Sequence, residues 1–438
     1  MSDSSFSGSW WRTLTGGIFL AIVSFFGSVL TARLLGTEGR GMLAAALVIV
    51  GIAAAVAQLG FASSIVYHRG GPFQHNFRST FLIGLGAVVC VAGPLAWIGV
   101  TTLFESRLQP QVYTVAGLAT LTAAFAYLTT LSQISADLKV FNLLRNAVAL
   151  MMLICVSAVM LLENGIAQYD WVLNLQITVT GLATLAAAFW IWKAMTEGRQ
   201  VATDYKAIKF SAVAIYAGHQ HITALIGVLL SNIDKIVILE IGRPDEVGFY
   251  ALAFALSRQI AMVQDSVSIS LFSRYAGKDN STLSENVLKA FRTTFMPMLI
   301  VSTLAALASP WMIPTIFGSA FAACALPFSI LAFEAVIGAG SWTLAQRFNA
   351  GGRPGLVALR QVTSLLPVFI GIFFLPEQDE SSYLASLMLL GSFTRLLATI
   401  LIYPLVLKEP PPRLLPTKQD LLSIQSFVRH RLSRSGLQ

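Results

Sequence analysis

Thr13-Leu-Thr-Gly-Gly-Ile-Phe-Leu-Ala-Ile-Val-Ser-Phe-Phe-Gly-Ser-Val-Leu-Thr-Ala32 runs from Arg12 to Arg33 without a charged residue. An α-helix of this length crosses about 30 Å of hydrocarbon. The apolar run is too long for a secretory signal, and no short A-x-A-like cleavage site interrupts it before Arg33, so it reads as a first transmembrane helix. Runs of the same kind recur along the chain. The predicted spans are 13–35, 41–66, 79–101, 111–134, 143–162, 171–194, 210–233, 247–271, 291–312, 322–345, 356–375 and 382–407. The expected fold is therefore an all-α polytopic membrane protein of about twelve transmembrane helices.

Composition agrees. Hydrophobic residues make up 55% of the 438 and charged residues 11%, against about 25% charged in a soluble domain. The three cysteines, Cys90, Cys155 and Cys324, fall inside predicted helices on no metal-ligand spacing, so they read as packing residues and no metal site is expected. With both termini placed in the cytoplasm, 22 of the 29 Lys and Arg lie on the cytoplasmic side, Arg145, Arg347, Arg353 and Arg360 among them. Arg33, Arg40, Arg107, Lys235 and Arg243 lie outside, and Arg258 and Arg395 fall within spans. The net charge of +8 is thus a topology signal for a cytoplasmic membrane, with no nucleic-acid partner implied.

The longest polar interval, 195–209, divides the chain into an N-terminal six-helix unit (1–194) and a C-terminal one (210–407), followed by a basic tail (408–438). Two even-numbered halves share one orientation, as parallel repeats do. A weak repeat supports the division. Arg33-Leu-Leu-Gly36 with Thr37-Glu-Gly-Arg-Gly41 corresponds to Leu239-Glu-Ile-Gly242 with Arg243-Pro-Asp-Glu-Val-Gly248, giving each half a Gly-rich polar turn between its first two helices. Beyond Pro410-Pro-Pro412, residues 417–434 set Leu421, Ile424, Val428 and Leu432 against Arg429, Arg431 and Arg434. That pattern predicts an amphipathic helix on an anionic leaflet.

Candidate functional residues are ionisable groups within the spans. A charge at the centre of a spanning helix costs at least about 2.5–3.5 kcal/mol on insertion scales and marks a pathway or a pair. Arg258, Glu334 and Arg395 sit near the middle of three C-terminal spans. Asp265 follows Arg258 by two turns on nearly the same face. Asp234 and Lys235 lie near the outer end of the seventh span; adjacent helical residues point about 100° apart, so one of the two is expected at a cavity edge. Arg258, Arg395 and Lys235 are assigned to an anion-binding cavity, and Asp234, Glu334 and Asp265 to ion or proton coupling. His219 and His221, which titrate near neutrality, and Arg145 are secondary candidates. An Arg258–Asp265 or Arg258–Glu334 pair that only holds helices together is the competing reading. In the N-terminal half no charge falls at a bilayer centre, and Gly16, Gly17 and Gly27 with Ser24 and Ser28 suit close helix packing.

Three runs carry a resemblance across nearly the whole chain: Ala32-Arg-Leu-Leu-Gly-Thr-Glu-Gly-Arg-Gly-Met-Leu-Ala44, Asn232-Ile-Asp-Lys-Ile-Val-Ile-Leu239 with Val247-Gly-Phe-Tyr-Ala-Leu-Ala253, and Pro310-Trp-Met-Ile-Pro-Thr-Ile-Phe-Gly-Ser-Ala-Phe321. They resemble the polysaccharide-transporter branch of the multidrug/oligosaccharidyl-lipid/polysaccharide exporters, the Wzx-type flippases. The resemblance implies two six-helix bundles around a central cavity that opens alternately to either side. The implied cargo is an undecaprenyl-pyrophosphate-linked oligosaccharide, moved from the inner to the outer leaflet of the bacterial cytoplasmic membrane. The expected partners are membrane lipids and the polymerase and export components of a polysaccharide assembly pathway. No cofactor is expected, and the energy source is a proton gradient, a sodium gradient or polymerisation outside. Asn232 and Asp234 match a recurrent polar position of that family.

Two other classes compete. A drug exporter of the sister branch should offer cationic drugs a net negative cavity, opposite to Arg258, Arg395 and Glu334. A polytopic polymerase or ligase should carry a large outer loop with convergent carboxylates, Arg or His. The outer segments 309–320 and 375–382 are short, and no Gly-rich phosphate loop, HExxH or nucleophile elbow appears. A non-enzymatic transporter is the expectation.

Overall fold

The computed structural model describes residues 3–68, 73–103, 111–133, 138–162, 169–196, 210–241, 244–276, 282–376, 379–417 and 420. The chain forms α1 (Asp3–Ala57), a short α2 (Phe61–Tyr67), α3 (Phe73–Leu103), α4 (Val112–Ser132), α5 (Lys139–Leu162) and α6 (Tyr169–Thr196). The second half forms α7 (Phe210–Ile241), α8 (Pro244–Tyr275), α9 (Leu283–Phe317), α10 (Ala325–Asn349), α11 (Pro354–Ile372) and α12 (Glu380–Ile402). A 3₁₀ segment (Ser319–Cys324) leads into α10, and a π turn (Tyr403–Leu407) ends α12. The fold is all-helical among the described residues. Counting α1 as two arms, each expected span corresponds to one helix except 41–66, which breaks at Leu59 and Gly60 into the second arm of α1 and α2. The linker 197–209 and the tail 421–438 lie outside the described residues.

The expected polar turn between the first two spans is a kink instead. Gly36 adopts φ 65°, ψ −170° inside an otherwise helical α1, a conformation essentially confined to glycine. Neighbouring arginines are drawn into the fold. Arg33 donates from Nε and Nη2 to the Ile316 carbonyl at 2.9 and 2.7 Å, and Arg40 donates to Thr31 Oγ1 at 2.9 Å. Their charge satisfies backbone and hydroxyl oxygens, which closes the turn against α9.

Helix periodicity sorts the surfaces. On α6, Leu182, Leu185, Phe189 and Trp192 are exposed, three or four residues apart along one stripe. Ile300, Leu304, Leu307 and Trp311 do the same on α9. Such apolar faces belong in lipid. At the centre, α10 is buried on nearly every side and packs on α8, α9 and α12.

The halves meet along α1 and α8. Near the Gly36 end, Thr37 donates a hydrogen bond to Asp245, and Gly248 lies against the Thr37 carbonyl. Near the opposite end, Ser64 donates to the Val213 carbonyl at 2.9 Å, Tyr67 stacks on Tyr216 at 4.3 Å, and Ser273 donates to the Gln133 carbonyl at 3.1 Å. Contacts between halves therefore exist at both ends.

The segment after α12 is strapped to α9 and α10. Glu409 Oε1 accepts from Arg347 Nε and Nη2 at 3.1 and 2.7 Å, while Ser284 donates to its other oxygen. Asp420 accepts from Arg292 Nε and Nη2 at 2.8 and 3.2 Å and from Thr417. Partial burial pushes the Glu409 carboxyl up, but the hydrogen bonds from Arg347 and Ser284 outweigh it and hold it below the usual range. Arg292 holds the Asp420 carboxyl well below its usual range.

Two predictions follow from this packing. A methyl group on Gly248 would overlap the Thr37 carbonyl oxygen, whereas Gly51 faces open space. Gly248→Ala should destabilise the protein by about 1–3 kcal/mol, and Gly51→Ala should be neutral or stabilising by up to about 1 kcal/mol, as read by unfolding in detergent. For the strap, both carboxyls are depressed in the folded state, so their stabilisation is complete above their unfolded values near 4 and fades as pH falls below them. Proteolysis within 408–420 should accelerate below about pH 4, and Glu409→Gln should reproduce part of that acceleration at pH 7.

Candidate functional site: a guanidinium cluster inside the C-terminal half

Helix α8 places Tyr250, Phe254, Arg258, Ala261 and Asp265 at spacings of four, four, three and four, one face of a helix. On α10, Glu334 and Gly338 share a face one turn apart, and α12 brings Ser392, Arg395 and Thr399 opposite. Arg258 Nη2 pairs with Glu334 Oε2. Glu334 Oε1 accepts from Ser392 Oγ at 2.7 Å and lies 4.0 Å from Arg395 Nη2, which itself donates to Ser392 Oγ at 2.9 Å. Gly338 makes this possible, because a Cβ there would press on Arg395 Nη2. Glu334, 2% exposed, thus neutralises two arginines at once.

Beside this pair lies a cavity of about 160 Å³, lined by Arg258, Asp265, Trp342, Arg360, Gln361 and Arg395 with Ala261, Ala335, Gly338 and Ala339. Arg258, Arg395 and Asp265 are therefore brought together on the wall, with Glu334 bridging two of them from behind. The cavity lies among α8, α10, α11 and α12, all in the C-terminal half.

Arg360 is the residue that sequence reading placed elsewhere. Counted there as cytoplasmic, it is 1% exposed, nearly two turns inside α11. Its Nη1 donates to Ser341 Oγ at 2.7 Å and reaches Thr399 Oγ1 at 3.5 Å, and its guanidinium carbon stands 5.4 Å from the Trp342 ring centroid. The signal was available. Val357, Arg360, Gln361, Ser364, Leu365 and Val368 are the buried face of α11, while Leu359, Leu366, Phe369 and Ile370 face outward.

Arg145 shows the same shift. Also counted as cytoplasmic, it has Nε and Nη2 buried without a hydrogen-bond partner among the described residues, and its charge reaches Asp265 across the boundary between halves. Asp265 accordingly lies within reach of Arg258 on its own half and Arg145 on the other.

Lys235, expected in an outer segment, is turned into the protein. Its Nζ lies 3.4 Å from Asp234 Oδ1 and 3.5 Å from the Phe254 ring centroid, and the Arg258 guanidinium carbon lies 4.3 Å from the same centroid. The other Asp234 oxygen accepts from Tyr250 at 2.6 Å. Asp234 and Lys235 pair with each other and neither lines the cavity; a four-carbon lysine stem curls back across the angle between adjacent residues. Neither His219 nor His221 lines the cavity. The residue between them does the buried work: Gln220 donates to Asn349 Oδ1 at 2.6 Å and to Tyr216 at 3.0 Å.

With that geometry in hand, comparison with solved structures defines the class: the fold is that of the MATE transporters of the MOP superfamily. A mutant of the Vibrio cholerae MATE transporter VcmN superposes with a TM-score of 0.65 at 13% identity, covering 92% of this chain and 98% of that one. The MATE multidrug transporter DinF-BH gives 0.65 at 14% identity, covering 92% and 96%. An outward-facing multidrug resistance MATE transporter gives 0.62 at 12%, covering 92% and 97%. No curated protein matches the sequence. The family model of polysaccharide biosynthesis proteins matches residues 29–326, and the chain belongs to that family. It is a multi-pass membrane protein.

Glu334→Gln should leave two inward guanidiniums without their shared counter-charge. The expected loss is about 3 kcal/mol, the low end for breaking a buried pair, since Arg258 keeps about a third of its side chain accessible. Combining it with Arg258→Gln should be less damaging than the sum of the two single losses by about 1–3 kcal/mol, measured by equilibrium unfolding in mixed micelles.

Proposed function

We propose that this protein is a flippase that moves undecaprenyl-pyrophosphate-linked oligosaccharide repeat units from the inner to the outer leaflet of a bacterial cytoplasmic membrane. The observation that carries the reading is the charge balance around the cavity. Three arginines, Arg258, Arg360 and Arg395, stand against Glu334 and Asp265, within a family of polysaccharide biosynthesis proteins. A lipid-linked sugar joins a tail that belongs in hydrocarbon to a diphosphate and hydroxyls that do not. Dragging these polar groups through the core unaided costs several kcal/mol per unsatisfied group. Fixed guanidinium forks offset that cost for phosphate oxygens.

In this reading Arg258, Arg395 and Lys235 attract the diphosphate. Asp265, placed between Arg258 and Arg145, is the carboxylate that trades partners as the units 1–194 and 210–407 rock, driven by a proton or sodium gradient; Asp234 and Glu334 hold their cations in place. Both termini face the cytoplasm, and polymerase and export components take the product outside. No catalytic step is assigned to the chain. A drug exporter would need a cavity that welcomes cations, and Glu334, buried beside the cavity, is already engaged by two arginines.

The test is a strain lacking the protein, followed by mass spectrometry of lipid-linked repeat units. Intact units should collect on the inner leaflet, be cleared by the wild-type chain, and persist at least about tenfold higher with Arg258→Ala at equal expression, one order in rate being 1.4 kcal/mol. Units flipped normally but left unpolymerised would favour a polymerase, and no accumulation would favour drug export.

A further inference from the structure

Between α8 and α10 runs a line of uncharged polar side chains that the ion pairs do not use. The two helices run parallel, since Arg258 meets Glu334 and, further along both, Ser268 meets Thr343. Gln264 lies one turn before Ser268 and Gln346 a turn after Thr343, so the line covers about 10 Å at 1.5 Å per residue. None of these side chains is more than 1% exposed, and Val267, Leu271, Phe291 and Leu344 are buried nearby.

The hydroxyls of the line have more partners than protons. Ser268 Oγ donates to the Gln264 carbonyl and Thr343 Oγ1 to the Ala339 carbonyl, each at 3.0 Å, while the two hydroxyl oxygens also lie 3.0 Å apart. Each hydroxyl carries one proton, so the donors exchange roles by rotating. The amides have the opposite imbalance. Gln264 Nε2 and Oε1 are both buried without a hydrogen-bond partner among the described residues, whichever way the amide is turned, and so is Gln346 Oε1. Ordered water satisfies buried amides that protein groups do not reach. The line contains no charged side chain to hold an ion, so neutral water is the ligand class that fits. At one end it adjoins the cavity, whose wall carries Asp265, the neighbour of Gln264, and Ala339, which accepts from Thr343. At the other, Gln346 lies within a turn of Asn349, where α10 ends beside the partly exposed Arg347–Glu409 pair.

We propose that Gln264, Ser268, Thr343 and Gln346 hold a file of water that carries protons from Asp265 to the cytoplasmic end of α10. The inference deepens the flippase reading and rests on it, since there Asp265 trades partners under a gradient and both termini face the cytoplasm; it names the proton as the coupling ion. A proton leaves the Asp265 carboxyl for the first water. Each water or hydroxyl along the line takes one proton from the cavity side and releases one to the other, so one proton emerges at the far end. The carboxylate left behind faces Arg258 on α8 and Arg145 on α5, with Arg360 and Arg395 across the cavity. The glutamines orient the water and the hydroxyls relay the proton.

The experiment places the full-length protein in liposomes holding a pH-sensitive dye, under a negative-inside potassium diffusion potential. It reads proton uptake together with the Tm of the same variants in detergent. Wild type should acidify the lumen. Thr343→Val, which keeps the shape and removes the hydroxyl, should slow uptake at least about tenfold, and Thr343→Ser should restore it. Gln264→Met should slow uptake without raising the Tm, because the amide it removes was bonded to water; loss of an amide sealed in dry would raise the Tm instead. Wild-type uptake in Thr343→Val, a higher Tm in Gln264→Met, or no uptake through wild type overturns the proposal. Hydroxyl-dependent uptake through a protein whose loss causes no accumulation of lipid-linked units would sink the flippase reading and leave the water file standing. Accumulation cleared by the wild-type chain, with proton uptake indifferent to Thr343→Val, would keep the flippase and remove the file.

Discussion

Glu334 is the interaction on which the C-terminal half depends. One carboxylate, almost wholly buried, receives Arg258 from α8, Ser392 from α12 and the nearby charge of Arg395. Two helices, α8 and α12, are therefore fixed to α10 by a single residue. The small side chains of α10 follow from this. Gly338, Ala335 and Ala339 leave room for long guanidinium arms to enter from both sides, and Ser341 and Thr343 supply hydroxyls where bulk would exclude them. A helix of leucines at these positions would pack as well against lipid but would have no space for charge.

The second constraint is the meeting of the halves. Contacts at the Gly36 end use a hydroxyl-to-carboxylate bond, Thr37 to Asp245, and a glycine pressed on backbone. Those at the other end use hydroxyl-to-carbonyl bonds and a stacked tyrosine pair. Around these polar contacts the halves share apolar packing, with Phe25 edge-on to Phe317 and Leu34, Leu35 and Leu43 in one cluster with Leu239, Val247 and Leu252. Hydrogen bonds of this kind contribute about 1 kcal/mol each net, so the shared apolar packing supplies most of the cohesion between the halves and the polar contacts fix their register.

Most of the fold was legible because spanning helices are set by an outside solvent. The bilayer demands about twenty apolar residues per crossing, and that demand is written along the chain without reference to tertiary contacts. Gly36 was read as a turn for the same reason: a cluster of Gly, Thr, Glu and Arg looks like solvent-facing loop, and only its contacts with α8 and α9 reveal a kink. The site was legible in part. Arg258, Asp265, Glu334 and Arg395 stand out because charge is rare at mid-span. Arg360 did not, and Arg145 stood only as a secondary candidate, because each lies near a predicted span end, where lysine and arginine are ordinarily topology signals. Depth alone cannot separate a snorkelling arginine from an inward one. The face of the helix can, and on α11 the polar residues share their face with Val357 and Val368 rather than with the exposed Leu366 and Phe369.

That distinction bears on how charge is arranged across the membrane. From Tyr250 to Asp265 the functional face of α8 rises about 22 Å at 1.5 Å per residue, most of a hydrocarbon core about 30 Å thick. Along it the order is Asp234 and Lys235 about Tyr250 and Phe254, then Arg258 with Glu334, then Asp265 within reach of Arg145. Each of these charges has an opposite charge nearby, which offsets the cost of holding it between helices. Arg360 stands off this line, on α11 across the cavity, where among the described residues hydroxyls of Ser341 and Thr399 and the face of Trp342 meet it instead of a carboxylate. The bundle thus holds charge at depth in two ways, by compensated pairs along α8 and by hydroxyls and an aromatic face on α11.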